Sequence, residues 1–486
     1  MNGPLRRVST VVALLFAALF ISTTLIQVIY APSINARPDN RRTLLDNYSR
    51  QRGTILVGDQ PVAVSQPTPN GEIKFLRSYP QAGLYSHVTG YFSYTYGAGG
   101  GLESSANDLL SGSSGELFYT RVTDLLTGKS PVGATVQLTI NPKAQQAADQ
   151  ALGNQRGAVV ALNPKTGEIL ALVSHPQYDP GQLSAHDQNA VVKAWQSLSA
   201  DPTQPLADRA LAGNLYPPGS VFKIVTAAAA LETGKATAQT LIPAPAVLTL
   251  PQTGVGLPNY DRQPCGPNDQ TTLLHALEIS CNTAVGNLGM QVGAQALADQ
   301  AAKFGYGTTL RVPTRVEPSR FPTGINQAQT AQSAIGQFDV RVTPMQVALT
   351  SAAVANGGVA MRPYLVQRVL SADLQTIDRA TPERLGVAIS PETASTLTSM
   401  LTSVVDNGTG QPARIPGVQV AGKTGTAEQG NGKPPHAWFT SFAPAGDPKV
   451  AVAVVVEDGG NAGNEAAGGR LAGPIAKAVM EAVLNQ

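Results

Sequence analysis

The stretch Pro217-Pro218-Gly219-Ser220-Val221-Phe222-Lys223 breaks the chain and then opens an apolar helical run to Leu231. Ser220 stands at the start of that run, and Lys223, three residues on, shares its helical face. A helix start presents N–H groups and positive potential, so an oxyanion formed at Ser220 is stabilised there. A serine hydroxyl becomes a nucleophile only when something removes its proton. A lysine does this only if burial or a second cation lowers its ordinary pKa of about 10.4. A capping serine followed by a solvated lysine satisfies the same spacing, so the pair alone decides nothing.

Two later motifs extend the pattern. Ser280-Cys281-Asn282 separates helical runs expected over Thr271–Ser280 and Ala284–Phe304. Ser280 offers a hydroxyl for proton relay, and Asn282 an amide that both donates and accepts hydrogen bonds. An ordinary helix–helix junction reads the same way in isolation. Lys423-Thr424-Gly425-Thr426 is expected at the end of a strand over Val418–Ala421. Its glycine lets a substrate backbone lie close as an added strand. Lys423 supplies a cation that binds a carboxylate and depresses the pKa of a neighbouring lysine. Gly417–Thr424 also fits the G-x-x-x-x-G-K-[ST] phosphate-loop pattern, which needs a loop at the x positions and a helix afterwards. Here those positions read as strand and a Gly/Pro/Asn loop follows, so no nucleotide site is expected.

In this order the motifs S-x-x-K, S-x-N and K-T-G resemble the signature of the penicillin-binding protein and serine β-lactamase superfamily. Arg52-Gly53-Thr54-Ile55, Arg77-Ser78-Tyr79-Pro80, His87-Val88-Thr89-Gly90 and Gly101-Leu102-Glu103 look like the amino-terminal pedestal of class B penicillin-binding proteins. Asp208-Arg209-Ala210, Ile335-Gly336-Gln337 and Asn356-Gly357-Gly358 look like their transpeptidase domain. The resemblance spans nearly the whole chain. It implies an α+β protein: a transmembrane helix, a small β-rich pedestal, then a transpeptidase domain of antiparallel sheet packed with helices plus an all-helical subdomain.

The resemblance also implies a membrane-anchored D,D-transpeptidase that cross-links acyl-D-alanyl-D-alanine stem peptides and is acylated by β-lactams. In it Ser220 is the acylated nucleophile, Lys223 the general base and Ser280 the proton shuttle. Asn282 orients the substrate amide. Lys423, Thr424 and Thr426 hold the terminal carboxylate beside Gly425, and the N–H groups of Ser220 and Thr426 form the oxyanion hole. Water replacing the acceptor amine gives a carboxypeptidase side reaction. A SEDS-type glycan polymerase is the implied partner of anchor and pedestal, and no cofactor is expected. Two alternatives stand beside this reading: a catalytically silent scaffold for that polymerase, and a β-lactamase. Glu317 follows Ser280 at nearly the spacing of the class A β-lactamase glutamate. Its surroundings, Val316-Glu317-Pro318-Ser319-Arg320, lack the E-x-E-L-N pattern, so it is expected to be structural. No glycosyltransferase-sized region is read ahead of the pedestal.

Length and composition agree with this frame. The 486 residues exceed one ordinary domain, and the net charge of +2 provides no basic stripe for nucleic acid. Arg6 and Arg7 precede Val11–Ile29, an uncharged stretch of roughly 28 Å as helix, about one hydrocarbon core. Basic residues on that flank favour a cytoplasmic amino terminus, a single-pass cell-membrane anchor and an exported remainder. Ser33-Ile34-Asn35-Ala36 is a poor signal-peptide cleavage site. Expected boundaries are therefore a cytoplasmic tail over 1–10, the anchor over 11–29, the pedestal over 30–150 and the transpeptidase domain over 151–486. The segment Pro32–Arg52 reads as a basic juxtamembrane linker, and Tyr91–Gly101 as a strand running into a glycine loop. Cys265 and Cys281 are the only cysteines; in an exported chain such a pair is expected as a disulfide. Their spacing lacks the close pair of a zinc site, so no metal is expected.

Overall fold

The computed structural model describes residues 2–35, 48–69, 73–115, 132–430, 432–465 and 467–485. Most of the juxtamembrane linker, residues 36–47, lies outside them. Residues 2–35 are continuously helical, and Gly3–Tyr30 is long and apolar enough to cross a membrane, with its side chains exposed.

Two sheets organise the rest. The first has five antiparallel strands in the order Ala421–Ala427, His436–Ala443, Val450–Val456, Gly157–Leu162, Ile169–His175. Its centre joins distant parts of the chain, with Val454 opposite Val159. Val450–Val456 is apolar at every position because both faces are covered. Val452 and Val454 face the helices Pro142–Leu152 and Gly468–Leu484, whereas Ala453 and Val455 face the core shared with Pro344–Ala355. Asn141 caps the first of these helices by accepting from the N–H groups of Lys143 and Ala144, with Pro142 at its first position.

The second sheet has six strands in the order Thr376–Arg379, Val366–Leu370, Thr135–Leu138, Ile55–Val57, Gln60–Pro67, Phe75–Ser78. It mixes amino-terminal strands with two that come more than 200 residues later. Glu103, fully buried, ties this region together by accepting from Arg52 Nε at 2.5 Å and Arg77 Nε at 2.6 Å.

Several elements differ from the sequence reading. Tyr91–Gly101 is a hairpin of Tyr91–Ser93 and Gly97–Gly99 followed directly by a short helix, because Gly97, Gly100 and Gly101 all take positive φ. The helix expected over Ala284–Phe304 is two, Asn282–Val292 and Ala294–Lys303, broken at Gly293 with φ +92°. The strand expected at Val418–Ala421 instead begins at Ala421 and runs through the whole Lys423 motif to Ala427. Lys423 thus sits inside a strand, and among the described residues no helix follows before the next strand at His436, which removes the phosphate-loop reading. Glu317 lies at the surface beside Arg315, 3.5 Å away.

Candidate active site

Ser220 lies in a 3₁₀ turn, Gly219–Phe222, that runs straight into the helix Lys223–Glu232. The turn crosses the edge strand Ala421–Ala427 at very short range. A Cβ on Gly219 would stand 2.5 Å from the Thr426 carbonyl oxygen, and one on Gly425 would stand 3.1 Å from the Pro218 carbonyl oxygen. Gly336 closes the other side, donating no side chain and accepting from Gly219 N–H at 3.0 Å. Trp438 Nε1 donates to the Pro217 carbonyl at 3.1 Å, fixing the approach to the turn.

Lys223 is fully buried. Its Nζ donates to the Ser280 carbonyl at 2.7 Å, to Asn282 Oδ1 at 2.8 Å and to the Cys281 carbonyl at 3.1 Å. Burial, and then the charge of Lys423, push its pKa well below the ordinary lysine range. Lys423 is also fully buried, which lowers its pKa to about 7. Its Nζ donates to Ser280 Oγ at 2.9 Å and to the Thr424 carbonyl at 3.1 Å. Ser280 Oγ therefore stands between the two amines, 3.5 Å from Lys223 Nζ. Ser280 holds φ +60°, an uncommon conformation for a residue with a side chain, and that twist aims both its carbonyl and its hydroxyl at the lysines. Among the described residues, no hydrogen bond joins Lys223 Nζ to Ser220 Oγ.

The structure brings the Ser220, Lys223, Ser280, Asn282 and Lys423–Thr426 positions together, and Glu317 is not among them. Cys265 and Cys281 are bonded, with Cα atoms 6.1 Å apart, so the middle residue of the second motif is tethered. It also adds two residues that nothing in the sequence marked. Asn259, buried, accepts from the N–H groups of Asn282 and Thr283 at 3.0 Å each and donates to the Pro245 and Gln263 carbonyls. Thr409 places its hydroxyl 2.7 Å from that of Thr424. Behind the site, Glu457 accepts from Arg209 Nε at 2.9 Å and from the Tyr216 hydroxyl at 2.6 Å, anchoring the segment that leads to Ser220.

A buried amine pair bridged by a serine, beside a nucleophilic turn and an open strand edge, is an acyl-transfer arrangement. Comparison with known proteins places it. The model of the penicillin binding protein transpeptidase domain matches residues 157–481, and that of the penicillin binding protein A dimerisation domain matches 52–136. The chain belongs to the class B penicillin-binding proteins. It is 45% identical to the peptidoglycan D,D-transpeptidase PbpA of Mycolicibacterium smegmatis, with 100% of each chain covered. It is 44% identical to PbpA of Mycobacterium tuberculosis, covering 100% of this chain and 99% of that one. The solved penicillin G acyl-enzyme complex of M. tuberculosis penicillin-binding protein A superposes with a TM-score of 0.85 at 43% identity, covering 90% of this chain and 100% of that one.

Proposed function

We propose that this class B penicillin-binding protein is a membrane-anchored peptidoglycan D,D-transpeptidase acting through a Ser220 acyl-enzyme. The observation that carries the reading is Ser280 Oγ held between two buried, pKa-depressed lysines beside the Ser220 turn. Neutral Lys223 takes the Ser220 proton as Oγ attacks the penultimate D-alanine carbonyl. Neutral Lys223 keeps two N–H groups, which serve two of the three oxygens of Ser280, Cys281 and Asn282 within reach, and its lone pair remains for that proton. The resulting oxyanion accepts from the N–H groups of Ser220 and Thr426. Ser280 passes its proton to the departing D-alanine amine as the C–N bond breaks and takes in turn the proton that Lys223 holds, which leaves both as they began. The amine of a second stem peptide then attacks the ester, forms the cross-link and returns the proton to Ser220. Lys423, Thr424 and Thr426 seat the terminal carboxylate, and Asn282 orients the substrate amide.

The exposed apolar helix Gly3–Tyr30, with Arg6 and Arg7 near its amino end, supports a single-pass anchor that leaves the catalytic domain outside the cell membrane. The same exposed helix and the pedestal are the surfaces proposed for a SEDS-type glycan polymerase. A fluorescent penicillin tests the central reading. The full-length chain is expected to label stably, and Ser220→Ala to lower labelling by at least about 10³-fold. No labelling of the folded protein would sink it, and rapid loss of the label would point to a β-lactamase.

A further inference from the structure

We infer that Asn259 is a positioning residue for acyl transfer, holding Asn282 from across the fold so that the Asn282 amide stays on Lys223 Nζ. This role rests on the reading of Ser220 as nucleophile and Lys223 as its base, and it brings to that site a residue that none of the three motifs contains.

The helix Asn282–Val292 starts at the site, and the first N–H groups of a helix find no partner within it. Oxygen-bearing side chains are the usual caps, but the residue before this helix is Cys281. Its Sγ lies 3.4 Å from the Ala284 nitrogen, sulfur is a weak acceptor, and this sulfur is already bonded to Cys265. The missing oxygen comes from Asn259. Its Oδ1 accepts from the N–H groups of Asn282 and Thr283 at 3.0 Å each, which uses both lone pairs. Its Nδ2 donates to the Pro245 carbonyl at 3.1 Å and to the Gln263 carbonyl at 2.8 Å, which uses both hydrogens. A buried amide so filled has one orientation, since turning it over would set its NH₂ against two N–H groups. The Asn259 main chain is pinned as well, donating to the Ala246 carbonyl and accepting from Arg262 N–H at 3.1 Å each.

The adjoining carbonyl completes the hold. Pro258 O accepts from Asn282 Nδ2 at 3.2 Å, while Asn282 Oδ1 accepts from Lys223 Nζ at 2.8 Å. Pro258 ends the strand Gly256–Pro258, which pairs with Val247–Thr249. That hairpin packs tightly on the helix at Gly286, where a Cβ would stand 2.8 Å from Leu257 Cδ2. Pro258 thus fixes the Asn282 side chain, and Asn259 its main chain. Removing the Asn259 amide leaves two N–H groups of a largely buried turn unpaired, and the turn must shift to recover an acceptor. The shift carries Asn282 Oδ1 off Lys223, and a displacement near 1 Å costs about 10²-fold in rate.

The test uses the full-length enzyme in detergent and the second-order rate of penicillin acylation, counted per Ser220 that finally acylates so that misfolded protein does not count. Each variant is read at its own pH optimum. Asn259→Ala is expected to slow acylation by about 10- to 10²-fold. In an Asn282→Ala background the same change should cost under about threefold, because the side chain it positions is gone. Asn287→Ala is the structural control: Asn287 Nδ2 donates to the Pro243 carbonyl at 3.2 Å, tying the same helix to the same segment without touching Lys223. It is expected to keep the wild-type rate to within about twofold. Asn259→Asp retains the acceptor and gives up only the two donations, and its charge suits a helix start. It is expected to acylate faster than Asn259→Ala and, where the alanine variant yields no folded protein, within about tenfold of wild type. Three results each overturn the positioning role while a labelled wild type leaves the transpeptidase reading standing: a loss under about threefold in Asn259→Ala, an equal loss in both backgrounds or from Asn287→Ala, and an aspartate variant that misses its expected rate. A folded wild type that takes no penicillin overturns both.

Discussion

At the scale of single residues the proposed chemistry rests on two buried lysines whose pKa values both lie below the ordinary range. Burial alone lowers Lys423 to about 7, whereas Lys223, buried and facing Lys423, goes well below its ordinary range. The free enzyme's kcat/KM reports free-enzyme ionisations. It is expected to rise as Lys223 loses its proton and to fall as pH climbs through about 7 and Lys423 becomes neutral. Lys423→Arg keeps its charge at all working pH, so the alkaline limb should vanish, at a lower plateau. An unchanged limb would assign it to another group. The same shift carries a stability consequence. The folded pKa of Lys423 lies below its unfolded value, so between about 7 and about 10.4 the unfolded chain binds more protons. Stability therefore rises with pH across that window. Calorimetry should show a higher Tm for Lys423→Met than for wild type at pH 7, the gap closing toward pH 10, with acylation abolished. Ser220, Lys223, Ser280, Asn282 and Lys423 were all legible in the sequence because each belongs to a short motif of fixed spacing. Asn259 and Thr409 were not: each meets its partner across a fold, and no local pattern marks it.

At the scale of elements, the site depends on how closely the nucleophile turn approaches the edge strand. An alanine at Gly425 would put its Cβ 2.9 Å from Trp438 Cβ and 3.0 Å from Val221 Cγ1. Gly425→Ala is therefore expected to push turn and strand apart, and a displacement near 1 Å costs about 10²-fold in rate. Penicillin acylation kinetics check this, and a loss under threefold would mean that the gap yields freely. The bridge between Cys265 and Cys281 acts on the neighbouring motif, since Cys281 caps the helix that Asn282 begins. Cys265→Ser is expected to lower stability by about 3 kcal/mol in a denaturant titration. Elements with strong local signals are legible without the structure: Asn141 and Pro142 mark a helix start, and Pro164–Gly167 the turn between Gly157–Leu162 and Ile169–His175. The edge strand was misplaced because Gly-Lys-Thr-Gly-Thr has little strand preference of its own; pairing of Gly422–Ala427 with His436–Ser441 makes it a strand. Pro391–Asp406 carries the same kind of signal, with Ser390 as its cap and Pro391 at its first position.

At the scale of the whole molecule, the second sheet couples the regions on either side of residue 150. Ile55–Val57 pairs in parallel with Thr135–Leu138, which pairs antiparallel with Val366–Leu370. Pairing between segments so far apart leaves no mark in a single sequence, so a division by composition could not show that strands near residue 370 complete the amino-terminal sheet. The Arg52, Arg77 and Glu103 motifs are legible as separate short motifs, but their convergence on one carboxylate is not. Burial alone would raise the Glu103 pKa; the guanidiniums of Arg77 and Arg52 more than offset it and hold the group ionised. Removing that carboxylate leaves two buried guanidiniums without their partner, which costs about 3–5 kcal/mol. Because the sheet shares strands with the catalytic half, this loss should be felt at the penicillin site. Glu103→Ala is expected to lower Tm, and heating should destroy penicillin labelling and the calorimetric signal of the pedestal in one transition, in the variant as in the wild type. Labelling that survives a separate, earlier pedestal transition would show that the shared strands do not transmit stability, and that the two halves fold independently despite their common sheet.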